Sequence, residues 1–256
     1  MVIAVVNQKG GVGKTTTAVN LSAYLAALGK FVLLVDIDPQ GNASSGFGID
    51  TYNINTTIYD ALSGKTSLKS TIVDSFIPTH KIIPSNSNLA GATVEMVGED
   101  NREFLLNNLL LEVKNNFDYI IIDCPPSLDL LTLNGLVAAD HVLIPVQAEY
   151  YALEGLGSLL NTVDLVKENL KPNLNILGSV ITMFDKRNSM SRDVMNEMYK
   201  NLPFKIFRSV IPRNVRLTEA PSYGVSVLQH DPRSKGAKAY ERLAKEVVDH
   251  FNWNQY

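Results

Sequence analysis

The chain has 256 residues, a formal net charge of −3 and one cysteine, Cys124. That length supports a full hydrophobic core without covalent staples, and a single cysteine excludes an internal disulfide framework and points to a reducing cytoplasm. No basic leader with a cleavage site precedes the first apolar run, and no run approaches the roughly 20 apolar residues that span a bilayer, so neither secretion nor a membrane-spanning role is expected. Charge is uneven along the chain. Acidic residues outnumber basic ones up to residue 179, and the balance reverses over 180–256. The C-terminal part is therefore expected to face a polyanion.

In chain order, a strand is predicted at Val2–Val6, a helix near Thr15–Leu28 and a strand at Phe31–Val35. Strand Lys81–Ile83 and a helix near Asn101–Asn115 follow, then strand Tyr119–Ile122 and a helix near Leu128–Ala138. Strand His141–Val146, a helix near Ala152–Leu170, strand Asn175–Thr182 and helices near Ser191–Asn201 and Gly236–Phe251 complete the pattern. Several strands are β-branched and apolar on both faces, as a covered parallel sheet requires. In the first helix Ala18, Leu21, Leu25 and Leu28 recur at three- and four-residue steps, with Gly29 as the stop. The alternation predicts one α/β domain over residues 1–256, a doubly wound and mostly parallel sheet. Residues 39–57 are the loosest stretch and read as an active-site loop.

Four motifs carry chemistry. KGGVGKTT, Lys9 to Thr16, follows the first strand and opens the first helix, the context of a P-loop. Gly10, Gly11 and Gly13, with Val12 between them, let backbone N–H groups point at phosphate oxygens. Lys14 is expected on the β- and γ-phosphates, the Thr15 hydroxyl on Mg²⁺, and Thr16 in the helix terminus that holds the anion. A Rossmann dinucleotide loop fits less well: Thr16 stands where the third glycine belongs, and Lys14-Thr15 would have no task. The first position of the P-loop pattern is Gln8 rather than Gly, and Lys9 supplies an early second cation with no evident intrachain partner.

VLLVDIDPQGN (32–42) closes an apolar strand with Asp36 and Asp38, which two-residue spacing along an extended chain would set on one side. Paired carboxylates beside a phosphate site can hold metal-bound water or orient an attacking water. YIIIDCPPS (119–127) ends a strand at Asp123, the Walker B pattern for an Mg²⁺ contact through water, and Cys124 reads as an inert buried thiol. In the basic C-terminal part, Lys186 and Arg187 lie in a turn. Arg213 and Arg216 would share a face if helical, while Lys235, Lys238, Arg242 and Lys245 line the last helix opposite the apolar stripe Ala237, Tyr240, Leu243, Val247 and Phe251. Such a stripe suits contact with a phosphate backbone.

These motifs, in this order and with IPRNVRLTEAPSYG (212–224), EYYALEGL (149–156) and DPRSKGA (231–237), make nearly the whole chain resemble a ParA/Soj-type partitioning ATPase of the deviant Walker A group. The resemblance implies ATP and Mg²⁺ as cofactors, weak ATPase turnover, an ATP-dependent homodimer, non-specific binding of double-stranded DNA, a ParB-type partner and a nucleoid-associated, cytoplasmic location. It places Lys9 across a dimer interface on the partner's nucleotide and gives Asp38 a part in hydrolysis. Pro212 and Asn214 would lie at the adenine, and Arg187 and Arg216 on DNA. Nothing before the first strand resembles an operator-reading helix-turn-helix, and the C-terminal DHFNWNQY is no basic amphipathic membrane tail. A membrane-associated positioning ATPase similar to MinD, or a nucleotide-gated regulator of replication or transcription, are the alternatives.

Overall fold

The computed structural model describes residues 1–149 and 154–253. Its strands are β1 (Val2–Val5), β2 (Val32–Asp36), β3 (Val73–Asp74), β4 (His80–Ile83), β5 (Tyr119–Asp123), β6 (His141–Gln147) and β7 (Asn175–Thr182). They form one sheet in the order β3-β4-β2-β5-β1-β6-β7. Neighbours run parallel except β3 on β4. The helices are α1 (Lys14–Ala27), α2 (Asn42–Ser45), α3 (Ile58–Leu62), α4 (Leu89–Glu95), α5 (Leu105–Leu110), α6 (Leu130–Ala138), α7 (Glu154–Asn169), α8 (Ser189–Asn201), α9 (Val215–Glu219), α10 (Val227–His230) and α11 (Lys235–Trp253).

Alternation along each strand decides which layer a side chain joins. Ile3 and Val5 of β1 pack with Leu21 and Leu25 of α1 and with Tyr240, Leu243 and Val247 of α11. Val2 and Ala4 face the other layer, with Leu106 and Leu110 of α5, Leu131 and Leu136 of α6 and Leu159 and Val163 of α7. Both faces are covered, which is why the strands are apolar throughout. The chain leaves β1 toward β2 on one side and returns to β6 on the other, so the carboxyl end of β1 opens a crevice where α/β sheets place ligands.

The predicted strands are all present, β7 with the expected bounds and the others with ends shifted by a residue. β2 begins one residue late, after Phe31, whose N–H donates to Asp118 Oδ2 at 2.7 Å, and it ends at the buried Asp36, registered opposite Asp123 of β5. The two-residue edge strand β3 was too short for any periodicity to show. The helix expected over Asn101–Asn115 is broken into a 3₁₀ turn at Arg102–Phe104, α5, and a second 3₁₀ turn at Lys114–Asn116. The buried Asn134 of α6 explains the first break. Its Oδ1 accepts from Leu106 N at 3.0 Å and its Nδ2 donates to Arg102 O at 2.9 Å, so the side-chain amide sits between the two groups that an α-helix would pair directly. The first two residues of the helix predicted at Ala152–Leu170 lie outside the described residues; from Glu154 it runs as α7.

Helix α6 approaches β5 closely at Gly135, where an added Cβ would stand 2.8 Å from Cys124 Sγ and 3.0 Å from Ile37 Cδ1. Gly135→Ala should therefore lower unfolding free energy by about 1–3 kcal/mol through overpacking. In a double-mutant cycle measured by urea unfolding, Cys124→Ala should relieve much of that loss. Strict additivity of the two changes would contradict the contact.

Candidate functional site

Residues 9–16 leave β1 and enter α1 through two left-handed positions, Gly11 at φ +74° and Gly13 at φ +87°. Gly13 immediately precedes the first turn of α1, so the helix's unpaired N–H groups open into the loop. Two polar residues outside the motif fasten it. Asn7 Nδ2 donates to Pro145 O at 2.8 Å while its Oδ1 accepts from Lys9 N at 3.0 Å. On the far side Thr182 Oγ1, at the end of β7, donates to Val12 O at 2.7 Å. Gln8, where the common P-loop has glycine, donates through Nε2 to Gly155 O. Motif reading missed Asn7 and Thr182. Their only signal is a polar side chain closing an apolar strand.

Lys14 is buried, and its Nζ donates to Lys9 O at 3.2 Å. Burial lowers its pKa, while the carboxylates of Asp123 and Asp38 pull it back up. Asp123 is fully buried, and neither carboxylate oxygen has a hydrogen-bond partner. Burial pushes its pKa well above the usual carboxylate range, Asp36 adds to the rise, and the nearby Thr15 hydroxyl and Lys14 oppose it. An ionised carboxyl in such a place is costly without a cation. Two free carboxylate oxygens beside a hydroxyl are the hard oxygen donors that Mg²⁺ takes, so the residues fit such an ion.

The two carboxylates after β2 divide their work. Asp36 accepts from Ser44 N at 2.9 Å, Ser44 Oγ at 2.7 Å and Asp38 N at 3.1 Å. Burial still raises its pKa to about 6. Its acceptor sites are spent on the loop, so it braces rather than faces a ligand. Asp36 and Asp38 do not lie along one extended strand, because β2 ends at Asp36 and the backbone of Asp38 turns back onto it. Asp38 Oδ1 accepts from Gln40 N at 2.9 Å, and its charge acts on Lys14 and Asp123. Cys124 is fully buried, its thiol pushed up by burial, as an inert packing residue requires.

Lys9 does have an intrachain partner. Its Nζ lies 3.8 Å from Glu149 Oε2, and Glu149 Oε1 lies 3.6 Å from an Arg213 nitrogen. Both pairs are half exposed and worth well under ~1 kcal/mol, so Lys9 is tethered but not committed. Arg213 sits between Pro212, which bridges to Phe184, and Asn214, whose Oδ1 caps α9 by accepting from Arg216 N at 2.9 Å. Arg213 thus precedes the helix that contains Arg216, and the two do not share a helical face.

The C-terminal cations are exposed, yet several are paired. Arg187 meets Asp185 through two nitrogens, at 3.2 and 3.1 Å. Arg216 meets Glu219 at 2.7 Å and Asp231 at 3.4 Å. Lys238 and Lys245 converge on Glu241 at 2.8 and 2.9 Å. Those two ammoniums hold the Glu241 carboxyl down at about 2. Lys186, Lys235 and Arg242 are exposed and have no ion-pair partner among the described residues.

Residues 1–176 match the AAA domain family. The chain is 53% identical over 247 residues to the sporulation initiation inhibitor protein Soj of Bacillus subtilis, covering 96% of this chain and 98% of that one. It is 50% identical to the chromosome-partitioning ATPase Soj of Treponema pallidum, covering 95% of each. The chain belongs to the ParA/Soj family of chromosome-partitioning ATPases. A solved structure similar to this ParA/Soj-family chain is cobyrinic acid a,c-diamide synthase from Mycobacterium smegmatis with bound ADP and magnesium, at 36% identity and a TM-score of 0.88, covering 98% of this chain and 95% of that one. Among the described residues, no helix is long and apolar enough to cross a membrane.

The orphaned Asp123 makes a differential prediction for the ligand-free protein. A carboxyl whose folded pKa is raised adds stability below its unfolded pKa and loses it as pH rises through the folded value. Asp123→Asn should therefore melt at a higher temperature than the parent at pH 8, with the gain shrinking as pH falls toward 5. Scanning calorimetry showing a gain that does not vary with pH, or a loss at pH 8, would contradict the assignment.

Proposed function

We propose that this ATPase is an ATP-dependent dimerising switch that binds DNA non-specifically and is stimulated to hydrolyse ATP by a ParB-type protein, in chromosome or plasmid segregation. The observation that carries the reading is the buried Lys14 set against the unpartnered Asp123 at the carboxyl end of the sheet. An anion and a divalent cation together complete that arrangement, and Mg-ATP supplies both.

Lys14 and the amides of Gly10, Gly11, Val12, Gly13, Thr15 and Thr16 hold the phosphates. Thr15, with Asp123 acting through water, would hold Mg²⁺, which would neutralise charge on the phosphates. Asp38 orients a water whose oxygen bonds to the γ-phosphorus as the bond to the β–γ bridging oxygen breaks. The products are ADP and phosphate, with the water's proton leaving on phosphate or to solvent. Pro212 and Asn214 sit on a segment that Glu149 ties to Lys9, which supports a place for them at the base. Lys9, loosely held by Glu149, is free to exchange that carboxylate for a second protomer's phosphates.

Arg187, Arg216, Lys235, Lys238 and Arg242 are the cations assigned to DNA. Those already paired with carboxylates exchange one anion for another, so each contributes modestly, and binding depends on many contacts made by a dimer. Slow turnover suits such a switch, which needs a long-lived ATP state.

Lys9→Ala should bind ATP as the parent does yet stay monomeric by light scattering in ATP; a dimer of normal affinity would reject the role in trans. Arg216→Ala should weaken ATP-dependent binding to any duplex and flatten the slope of log affinity against log salt by about one unit per lost phosphate contact. A DNA-coated sensor giving the parent's slope and affinity would leave Arg216 as a solvated residue bound to Glu219.

A further inference from the structure

Beside the nucleotide site lies a buried polar chain that the phosphate and metal contacts do not use. Asp36, Ser44 and Ser85 are all fully buried. Ser44, in α2, meets one Asp36 oxygen twice, through its backbone N–H and its hydroxyl, at 2.9 and 2.7 Å. The other Asp36 oxygen accepts from Asp38 N at 3.1 Å. Ser44 Oγ in turn accepts from Ser85 N at 2.9 Å, just beyond the end of β4. Gly41, between Asp38 and Ser44, holds φ +62°, and a Cβ there would stand 2.9 Å from Ser85 O. The loop from Asp38 to Ser44 is thus clamped between the ends of two strands, with one hydroxyl as the joint.

We propose that Ser44 is a positioning residue for ATP hydrolysis: its hydroxyl, donating to Asp36 and accepting from Ser85, fixes the loop that sets Asp38 against the phosphate end of the site. The inference rests on the reading of Asp38 as the group that orients the attacking water. The backbone of Asp38 hangs on one oxygen of Asp36, and the plane of that carboxylate is set by the two bonds from Ser44 to the other. Removing the hydroxyl leaves Asp36 one donor short and the buried Ser85 N–H without an acceptor. Both have reason to shift, and Asp38 shifts with them. A misplacement of about 1 Å costs on the order of a hundredfold in rate. Phosphate binding is insulated, because Lys14 and the loop amides hang from β1 and α1.

The test measures steady-state ATP hydrolysis by the full chain with Mg²⁺, below each variant's melting range. Ser44→Ala should lower kcat by about tenfold to a hundredfold and leave the KM for ATP close to the parent's. Ser44→Thr, which keeps the hydroxyl, should recover most of the loss. Ser85→Ala should turn over as the parent does, because it keeps the N–H and loses only a hydroxyl that has no partner. Should Ser44→Ala fail to fold, Ser44→Cys, similar in size with a weak donor, should show the same split in milder form. Asp38→Asn is measured alongside. If Asp38→Asn loses activity while Ser44→Ala keeps it, the inference about Ser44 falls and the reading of Asp38 stands. If Asp38→Asn keeps full activity, the reading of Asp38 falls. Equal damage to kcat and ATP affinity in Ser44→Ala would show general collapse of the site and overturn the positioning role.

Discussion

The site turns on one constraint: three carboxylates and one ammonium are buried together where β2, β5 and the glycine loop end. Charges removed from water must be matched or neutralised, and the four are treated unequally. Asp36 receives three hydrogen bonds and is satisfied within the fold. Asp123, opposite it in register, receives none. That asymmetry separates a carboxylate spent on the fold from one left free. Lys14 alone cannot balance three aspartates, and a triphosphate would add more negative charge. The arrangement makes sense when a divalent cation arrives with the anion, as the oxygen donors of Thr15 and Asp123 allow.

The surrounding structure keeps this costly cluster in place. Asn7 and Thr182 grip the glycine loop from opposite sides, and Gly11 and Gly13 supply the backbone turns it needs. Helix α1 then carries the site into the C-terminal part. Thr17 Oγ1 lies 3.1 Å from Tyr240 OH of α11, and Asn20 spans from Thr16 O, at 2.7 Å, to Val227 N of α10, at 2.8 Å. These contacts join the start of α1 to α10 and to α11, the helix that bears Lys235, Lys238 and Arg242.

Much of this was legible in the sequence because it rests on local rules. The glycine loop, the strand-ending Asp123 and the apolar stripe of α11 each declare themselves within a few residues. What escaped depended on distant partners. Nothing near residue 101 shows that Asn134 will insert into the backbone there, and nothing near Asp36 shows that Ser44 will absorb its carboxylate. Lys9 looked unpartnered because Glu149 lies far along the chain. Arg213 and Arg216 looked like helical neighbours on spacing alone, although Asn214 between them is a residue type that favours helix N-caps. The basic surface was visible as composition, but its pairing with Asp185, Glu219, Asp231 and Glu241 was not.

Proton release on binding decides whether Asp123 is a buried carboxyl that needs a cation. Binding of Mg-ATP should expel whatever proton the raised pKa retains on that group. Calorimetric titrations at pH 6 in buffers of different ionisation enthalpy count the protons released. The parent should release more protons than Asp123→Asn at pH 6, and the difference should shrink as pH rises. Equal release from the two proteins at pH 6, with Mg-ATP bound by both, would contradict it.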